Sequence, residues 1–336
     1  MGSRILRPLS IPRYEGEQMP TQTQSADIKL YREYDAPLSA VWEAWSKAEQ
    51  IAQWWGPRGF TTTTQARELK TGGTWKYTMH GPDKVDYENF TKYLEVEDGK
   101  KLVYDHGGTE NSKALFRVTV LFSEEDGKTK FDMTMTFPSP EAAETSTRFI
   151  KKAGGEATWD RLAEFLEKRV RGKEIFEINR SFDASIDEMF KMWTEPDHMA
   201  KWAAPAGFAL KYNHVDIRNG GKAFYSMSNG KEMTMYGRCQ YIEIHKPDRI
   251  AYTQQFCDEN EKIIRHPMAP AWPQSMLTTV KFTSEGHKRT RITLTWQEDG
   301  EWSPEEMETF INARAGMTGG WTGSFDKLEE YLEKQA

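Results

Sequence analysis

Asp35-Ala-Pro-Leu-Ser-Ala-Val-Trp-Glu-Ala-Trp45 returns 148 residues later as Asp183-Ala-Ser-Ile-Asp-Glu-Met-Phe-Lys-Met-Trp193. The echo spreads outward at that offset. Ala52 falls on Ala200, Trp54 on Trp202, Pro57 on Pro205, Gly59-Phe60 on Gly207-Phe208 and Gly72-Gly73 on Gly220-Gly221. Tyr77 meets Tyr225, Met79 meets Met227, Tyr93 meets Tyr241 and Tyr104 meets Tyr252. An insertion in the second copy, His266–Pro273, then moves the register: Phe122 meets Phe282 at offset 160, and Leu162 and Phe165 meet Leu328 and Tyr331 at offset 166. A period near 150 residues is a whole domain, far longer than the roughly 20–50 residues of a solenoid repeat. The 336-residue chain therefore reads as two copies of one domain, over about 26–170 and 173–335, joined by the short charged stretch Arg169-Val-Arg-Gly-Lys173. Residues 1–25, rich in Pro, Gln, Thr and Ser, read as a disordered tail.

Each copy has the same internal grammar. An alternating strand opens it (Ile28–Tyr34; Ile175–Phe182), and two short helices follow, Leu38–Ser46 and Ala48–Trp54 in the first copy. Six strands are predicted next, over Thr61–Leu69, Thr74–His80, Tyr87–Val96, Lys101–His106, Leu115–Ser123 and Lys130–Phe137, with Gly72-Gly73, Gly81-Pro82, Asp98-Gly99 and Asp126-Gly127 as turns. One long amphipathic helix closes each copy, Pro140–Arg169 and Ser303–Lys334. Hairpin-linked strands with helices set apart from them give an antiparallel α+β domain: a curved sheet around a long C-terminal helix.

Composition narrows the function. The chain carries 45 Lys+Arg against 51 Asp+Glu, and this mildly acidic balance does not suit a phosphate backbone, so nucleic acid is not an expected partner. No apolar run approaches a membrane span, and the N-terminus lacks the apolar core of a secretory signal. Cys239 and Cys257 are the only cysteines, and the strand register sets Cys239 opposite Gln254, so both are expected as free thiols in a cytoplasmic protein. Seven scattered histidines give no metal-ligand spacing, and no phosphate loop or nucleophile elbow occurs, so neither metal nor cofactor is expected.

The run from Asp35 to Trp45, then Ala52-Gln-Trp-Trp-Gly-Pro-Arg-Gly-Phe60 and Gly72-Gly73, resembles the activator of Hsp90 ATPase homologue 1-like family of the START-like (SRPBCC, Bet v 1-like) superfamily. The second copy looks like a divergent version, departing at Ala203-Ala204, where the first has Trp55-Gly56, and at the proline-rich insertion. The resemblance implies a helix-grip fold with a cavity between sheet and long helix. It implies binding of a hydrophobic or aromatic small molecule, with two alternatives: a polyketide cyclase- or hydrolase-like enzyme using the same cavity, and a chaperone regulator acting by protein contact.

Aromatic residues are the candidates for that cavity. In the first copy they are Trp54, Trp55, Phe60, Trp75, Tyr77, Tyr104 and Trp159, with His106, Met133 and Met135. In the second they are Trp202, Phe208, Tyr225, Met227, Tyr252, Trp272 and Trp296, with Trp272 as a lid on the insertion. A plain packed core would use the same residue types, and a strand-end histidine is the commoner reading of His106. The intact Trp54-Trp55-Gly56-Pro57-Arg58-Gly59-Phe60 corner points to the first copy as the binding domain, with the second mainly structural. No carboxylate pair forces a general acid–base assignment, so catalytic residues stay unassigned.

Overall fold

The computed structural model describes residues 26–152 and 157–335, and the tail read over residues 1–25 lies outside them. The first domain runs β1 (Ala26–Tyr34), α1 (Leu38–Ser46), α2 (Ala48–Trp54), β2 (Thr61–Arg67), β3 (Thr74–His80), β4 (Asp86–Glu97), β5 (Lys101–Gly107), β6 (Phe116–Glu125) and β7 (Lys128–Phe137), followed by α3 (Pro140–Lys152) and α4 (Ala157–Arg171). The second runs β8 (Ile175–Phe182), α5 (Ile186–Thr194), α6 (Pro196–Trp202), β9 (Ala209–Val215), β10 (Lys222–Ser228), β11 (Thr234–His245), β12 (Arg249–Cys257), β13 (Met276–Gly286), β14 (Arg289–Glu298) and α7 (Pro304–Glu333). Each domain forms one seven-stranded antiparallel sheet, ordered β1-β7-β6-β5-β4-β3-β2 and β8-β14-β13-β12-β11-β10-β9. The last strand returns beside the first. This is the α+β, tandem helix-grip architecture read from the sequence.

Local chemistry explains the elements. Val118, Val120 and Phe122 alternate inward on β6, and Phe131 and Met133 do so on β7. Asp126 and Gly127 join these strands, both at positive φ, as a two-residue hairpin of the primed type requires. Helix α7 begins with Pro304 after Ser303, and Ser303 and Glu306 form a reciprocal capping box. It runs 30 residues unbroken. The helix expected over Pro140–Arg169 is described over α3, packed on β1 and β7, and α4, packed on α1, α2 and β8, with residues 153–156 outside the described set. The insertion His266–Pro273 is loop, as its three prolines dictate. Cys239 lies opposite Gln254, and both cysteines are free.

The Gly-Gly turn does more than reverse the chain. Gly72 has φ +80° and donates its N–H to the Tyr93 carbonyl at 2.9 Å, and Tyr93 returns its own N–H to Gly73. Gly220, Gly221 and Tyr241 repeat the arrangement. A Cβ on Gly73 would overlap the Glu68 carbonyl oxygen, and one on Gly221 the Asp216 carbonyl oxygen. The turn therefore clamps β4 and β11 at the residue where each presents an inward tyrosine.

The two domains meet along β8. As an edge strand it would present unpaired backbone groups, but charged side chains occupy them. The Glu164 carboxylate on α4 accepts the Glu177 N–H at 2.8 Å, and Arg58 donates to the Glu177 carbonyl at 2.9 Å. Arg58 also grips Glu164 with both guanidinium arms, at 2.9 and 2.5 Å, and lies 5.1 Å over the Phe176 ring. Arg314 donates to the Ile175 carbonyl. Beside them the Asn179 amide donates to both Asp160 and Glu177 at 2.9 Å. Burial pushes the Asp160 carboxyl up to about 6, against the pull of Arg32 and Arg58. Burial and the nearby Asp160 charge push Glu177 up to about 7.

Two outcomes are expected. Gly221→Ala should lower the midpoint of chemical unfolding by the equivalent of about 1–3 kcal/mol, the usual penalty for forcing atoms into filled space. An unchanged midpoint would mean that the turn is slack. The second concerns pH. The folded-state pKa of Glu177 lies above the ordinary carboxylate value, so folding favours its protonated form. Its contribution is complete below about pH 4.5 and is lost as pH rises through about 7, at a cost on the order of 1–3 kcal/mol. Glu177→Gln should therefore flatten the fall in thermal stability between pH 5 and 8 and raise the melting temperature at pH 8. A variant that melts lower than the parent at pH 8 would contradict this.

Candidate functional site

The inner face of the first sheet carries an aromatic block. Trp54 on α2 is wholly buried and donates its indole N–H to the Ala44 carbonyl at 3.1 Å. Trp55 follows at the α2–β2 corner. Its ring meets Trp54 at 5.4 Å, Trp75 at 5.3 Å, Trp159 at 6.0 Å and Tyr77 at 6.4 Å. Trp75 stacks on Tyr77 at 3.9 Å, and Trp159 stacks on Trp45 at 5.8 Å. Offset and edge-on contacts of this kind add to plain area burial. Arg161 of α4 holds the corner from behind, donating to the carbonyls of Gly56, Pro57 and Phe60 at 2.8, 3.0 and 3.2 Å. Of the ten residues expected to line this interior, Trp54, Trp75, Tyr77, Tyr104 and Met133 are buried, and Trp55, Met135 and Trp159 are packed against them. His106 rests against Phe116 at 4.9 Å, and burial lowers its pKa to about 4, so the ring is neutral. Phe60 stands apart, against Tyr87.

The second domain repeats the wall but not the block. Trp202 is wholly buried against Trp193 at 4.6 Å and donates to the Met192 carbonyl, matching Trp54. Trp321 stacks on Trp193 at 6.1 Å, taking the part that Trp159 takes on Trp45. At the two positions that fill the first interior the second carries methyl groups: Ala203 stands where Trp55 would be and Ala223 where Trp75 would be. Tyr212 takes back part of that volume, meeting Tyr225 at 6.2 Å. Tyr225, Tyr252, Met227 and Trp296 remain half-buried, whereas Tyr77 and Tyr104 keep 1% and 5% of their surface. Trp272 packs against Phe310 at 6.2 Å and His266 at 6.4 Å, which ties the insertion to α7. Phe208 and Met227 lie outside the packed core.

Sequence reasoning missed part of the wall. Tyr93 approaches Tyr104 at 6.2 Å, and Tyr241 approaches Tyr252 at 5.7 Å, so each domain holds a tyrosine cluster. The shared offset of Tyr93 and Tyr241 was the available signal. Burial raises the pKa of Tyr77, Tyr93, Tyr104, Tyr225, Tyr241 and Tyr252, and that of the Cys239 thiol to about 11. At neutral pH these groups are uncharged hydrogen-bonding groups.

Two clefts open elsewhere, and none of the expected lining residues borders them. One, of about 320 Å³, lies beside Tyr236, Phe256, Cys257 and Pro267. The other, of about 190 Å³, lies between the domains, beside Tyr31, Glu177, Asn179, Lys281 and Arg291. Among the described residues, no group of three or more His, Cys, Asp or Glu side chains is placed to hold a metal ion, and no helix is long and apolar enough to cross a membrane.

Solved structures similar to this chain include a protein from Arthrobacter aurescens, 23% identical, covering 48% of this chain and 86% of its own with a TM-score of 0.41. A protein from Silicibacter pomeroyi described as AHSA1 is 17% identical over 48% of this chain and 99% of its own, with a TM-score of 0.38. The di-domain ARO/CYC BexL from the BE-7585A biosynthetic pathway is 11% identical over 91% of this chain and 98% of its own, with a TM-score of 0.37. No curated protein matches the sequence. The family model described as Activator of Hsp90 ATPase homolog 1-like protein matches twice, over residues 35–167 and 183–333. Those two segments are the two sheet-and-helix units, so the chain belongs to the activator of Hsp90 ATPase homolog 1-like family and carries two copies of its domain.

Proposed function

We propose that the protein binds an apolar or aromatic small molecule without transforming it, inside the second domain, with the first domain as a filled scaffold. The observation that carries this is the exchange of two indoles, Trp55 and Trp75, for two methyl groups, Ala203 and Ala223, beside a wall that keeps its tyrosines. In the first domain those indoles occupy the ground in front of Tyr77. In the second, the tyrosine wall keeps accessible surface. Burial of an aromatic ligand there would supply affinity, at roughly 25 cal/mol per Å² of apolar surface removed from water. Neutral hydroxyls would set its orientation. The non-catalytic reading is supported by the titration of the wall: its tyrosines and thiol stay protonated, so none of them serves as a base near neutral pH.

This reading reverses the assignment suggested by the intact corner. The Trp-Trp pair that marks the first copy as special in the sequence is the material that fills its interior.

The test is a titration with 1-anilinonaphthalene-8-sulfonate, whose fluorescence rises on transfer to an apolar site. The parent chain should bind with saturation. Ala203→Trp, which copies the first domain, should weaken binding at least tenfold while the circular dichroism stays unchanged. Trp55→Ala should lower stability by about 3–5 kcal/mol, as loss of a packed indole does, without abolishing binding. If Ala203→Trp binds the dye as well as the parent, the second interior is not the site.

A further inference from the structure

Tyr77 and its counterpart Tyr225 occupy the same place in their sheets but rest on different supports. On β3 Tyr77 faces Asn89 of β4 across the ladder, and on β10 Tyr225 faces Gly237 of β11. Asn89 and Gly237 are themselves 148 residues apart. Tyr77 leans along its own strand and stacks on Trp75, 3.9 Å away and 23° from parallel. Trp55 meets it edge-on at 6.4 Å, and between these two indoles Tyr77 keeps 1% of its surface.

Tyr225 leans across the ladder instead. A Cβ on Gly237 would stand 2.5 Å from the Tyr225 Cζ and hydroxyl oxygen and 2.7 Å from its Cε2. The phenol end of the ring therefore lies on bare backbone, at a distance that only glycine permits. Ala223 stands where Trp75 would, and Ala203 where Trp55 would. Tyr212 meets the ring edge-on at 6.2 Å, and among the described residues no ring stacks on it. Tyr225 is half-buried, so part of its surface is open to a second body. An aromatic face pairs best with another flat ring in offset contact. The first domain supplies that ring from its own chain, and the second does not.

We infer that Tyr225, seated on Gly237, is the platform on which a planar aromatic ligand stacks, and that Gly237 is a positioning residue that holds the ring down against the sheet. The inference rests on the proposed reading of this interior as a ligand site. It adds a criterion of shape: a flat aromatic body gains a stacking partner, and a saturated body with the same carbon skeleton, thicker and without π electrons, does not. It also gives the glycine a defined task. A methyl group there would lift the ring off β11 into the ground the ligand needs.

Equilibrium dialysis of the full chain with 2-naphthol and with decahydro-2-naphthol tests it. The saturated alcohol is the more hydrophobic of the two, so burial alone favours it. The parent chain should nevertheless bind 2-naphthol at least fivefold more tightly. Tyr225→Leu keeps an apolar side chain without the ring, and should bring the preference to one or below while still binding the saturated alcohol. Gly237→Ala should weaken 2-naphthol at least fivefold. Adding Gly237→Ala to Tyr225→Leu should cost nothing further, because no ring remains to be lifted, whereas a merely structural glycine would lower binding in both backgrounds. A parent without the preference, a Tyr225→Leu variant that retains it, or a Gly237→Ala variant that binds 2-naphthol as the parent does would overturn the inference, and would leave the reading of the interior intact as long as Ala203→Trp weakens both compounds. If the parent binds neither compound, or if Ala203→Trp leaves the binding of both unchanged, the reading of the interior falls and the inference falls with it.

Discussion

The contact between Trp55 and Trp75, 5.3 Å apart beneath Tyr77, decides what a helix-grip domain of this chain can hold. A sheet that curves around a helix encloses more volume than backbone and small side chains fill. Protein interiors tolerate few voids. The space must be taken up by large side chains or left for a ligand. The first domain takes the former course, with Trp45, Trp54, Trp55, Trp75 and Trp159 in one contact network. The second keeps the counterparts of Trp45 and Trp54, adds Trp321 one helical turn before the position of Trp159, and gives up the pair nearest the tyrosines.

The same division shows at the joint. Arg58 sits inside the corner motif, and its guanidinium leaves its own domain to bond a β8 carbonyl and cover Phe176. Its position in the second copy is Ala206, which makes no such reach. The corner of the first domain is thus fixed from both sides, by Arg161 within the domain and by Arg58 across it. In the second domain Lys327 alone reaches the corner with a charged group, at the Ala204 carbonyl, with the Ser324 hydroxyl on Ala203. In the second domain one ammonium reaches the corner, and Tyr225 and Tyr252 keep part of their surface accessible.

Much of the fold was legible because its signals are local or periodic. Strand alternation, the Asp126-Gly127 hairpin, the Gly-Gly turns and the 148-residue offset are all read along the chain, and each marks an element that the structure contains. The closing helix of the first copy was legible in its apolar spacing, and α3 and α4 cover the described part of the span read for it. The joint was illegible. Glu164, Asp160, Asn179 and Glu177 look like solvated helix and strand residues until two domains are brought together, and only then does burial raise the carboxyl pKa values. The candidate site was legible in its residue types and not in its openness. In sequence a lost tryptophan reads as decay of a motif. In three dimensions it is a change of inner surface, and that this surface lies near paired tyrosine hydroxyls depends on Tyr241 and Tyr252 being neighbours across strands.

Duplication makes that distinction physical. A single domain that gave up two buried indoles would lose several kcal/mol from a total of only about 5–15 kcal/mol. A second copy docked on an intact first one has its opening edge strand, β8, covered by Glu164, Arg58 and Arg314 and tied to Asp160 through Asn179. The joint thus supplies charge-assisted bonds to β8 that a lone second domain would lack. That arrangement follows from the order of the copies: β8 is the first strand of the second, and the side chains that satisfy its free edge are supplied largely by the domain that precedes it.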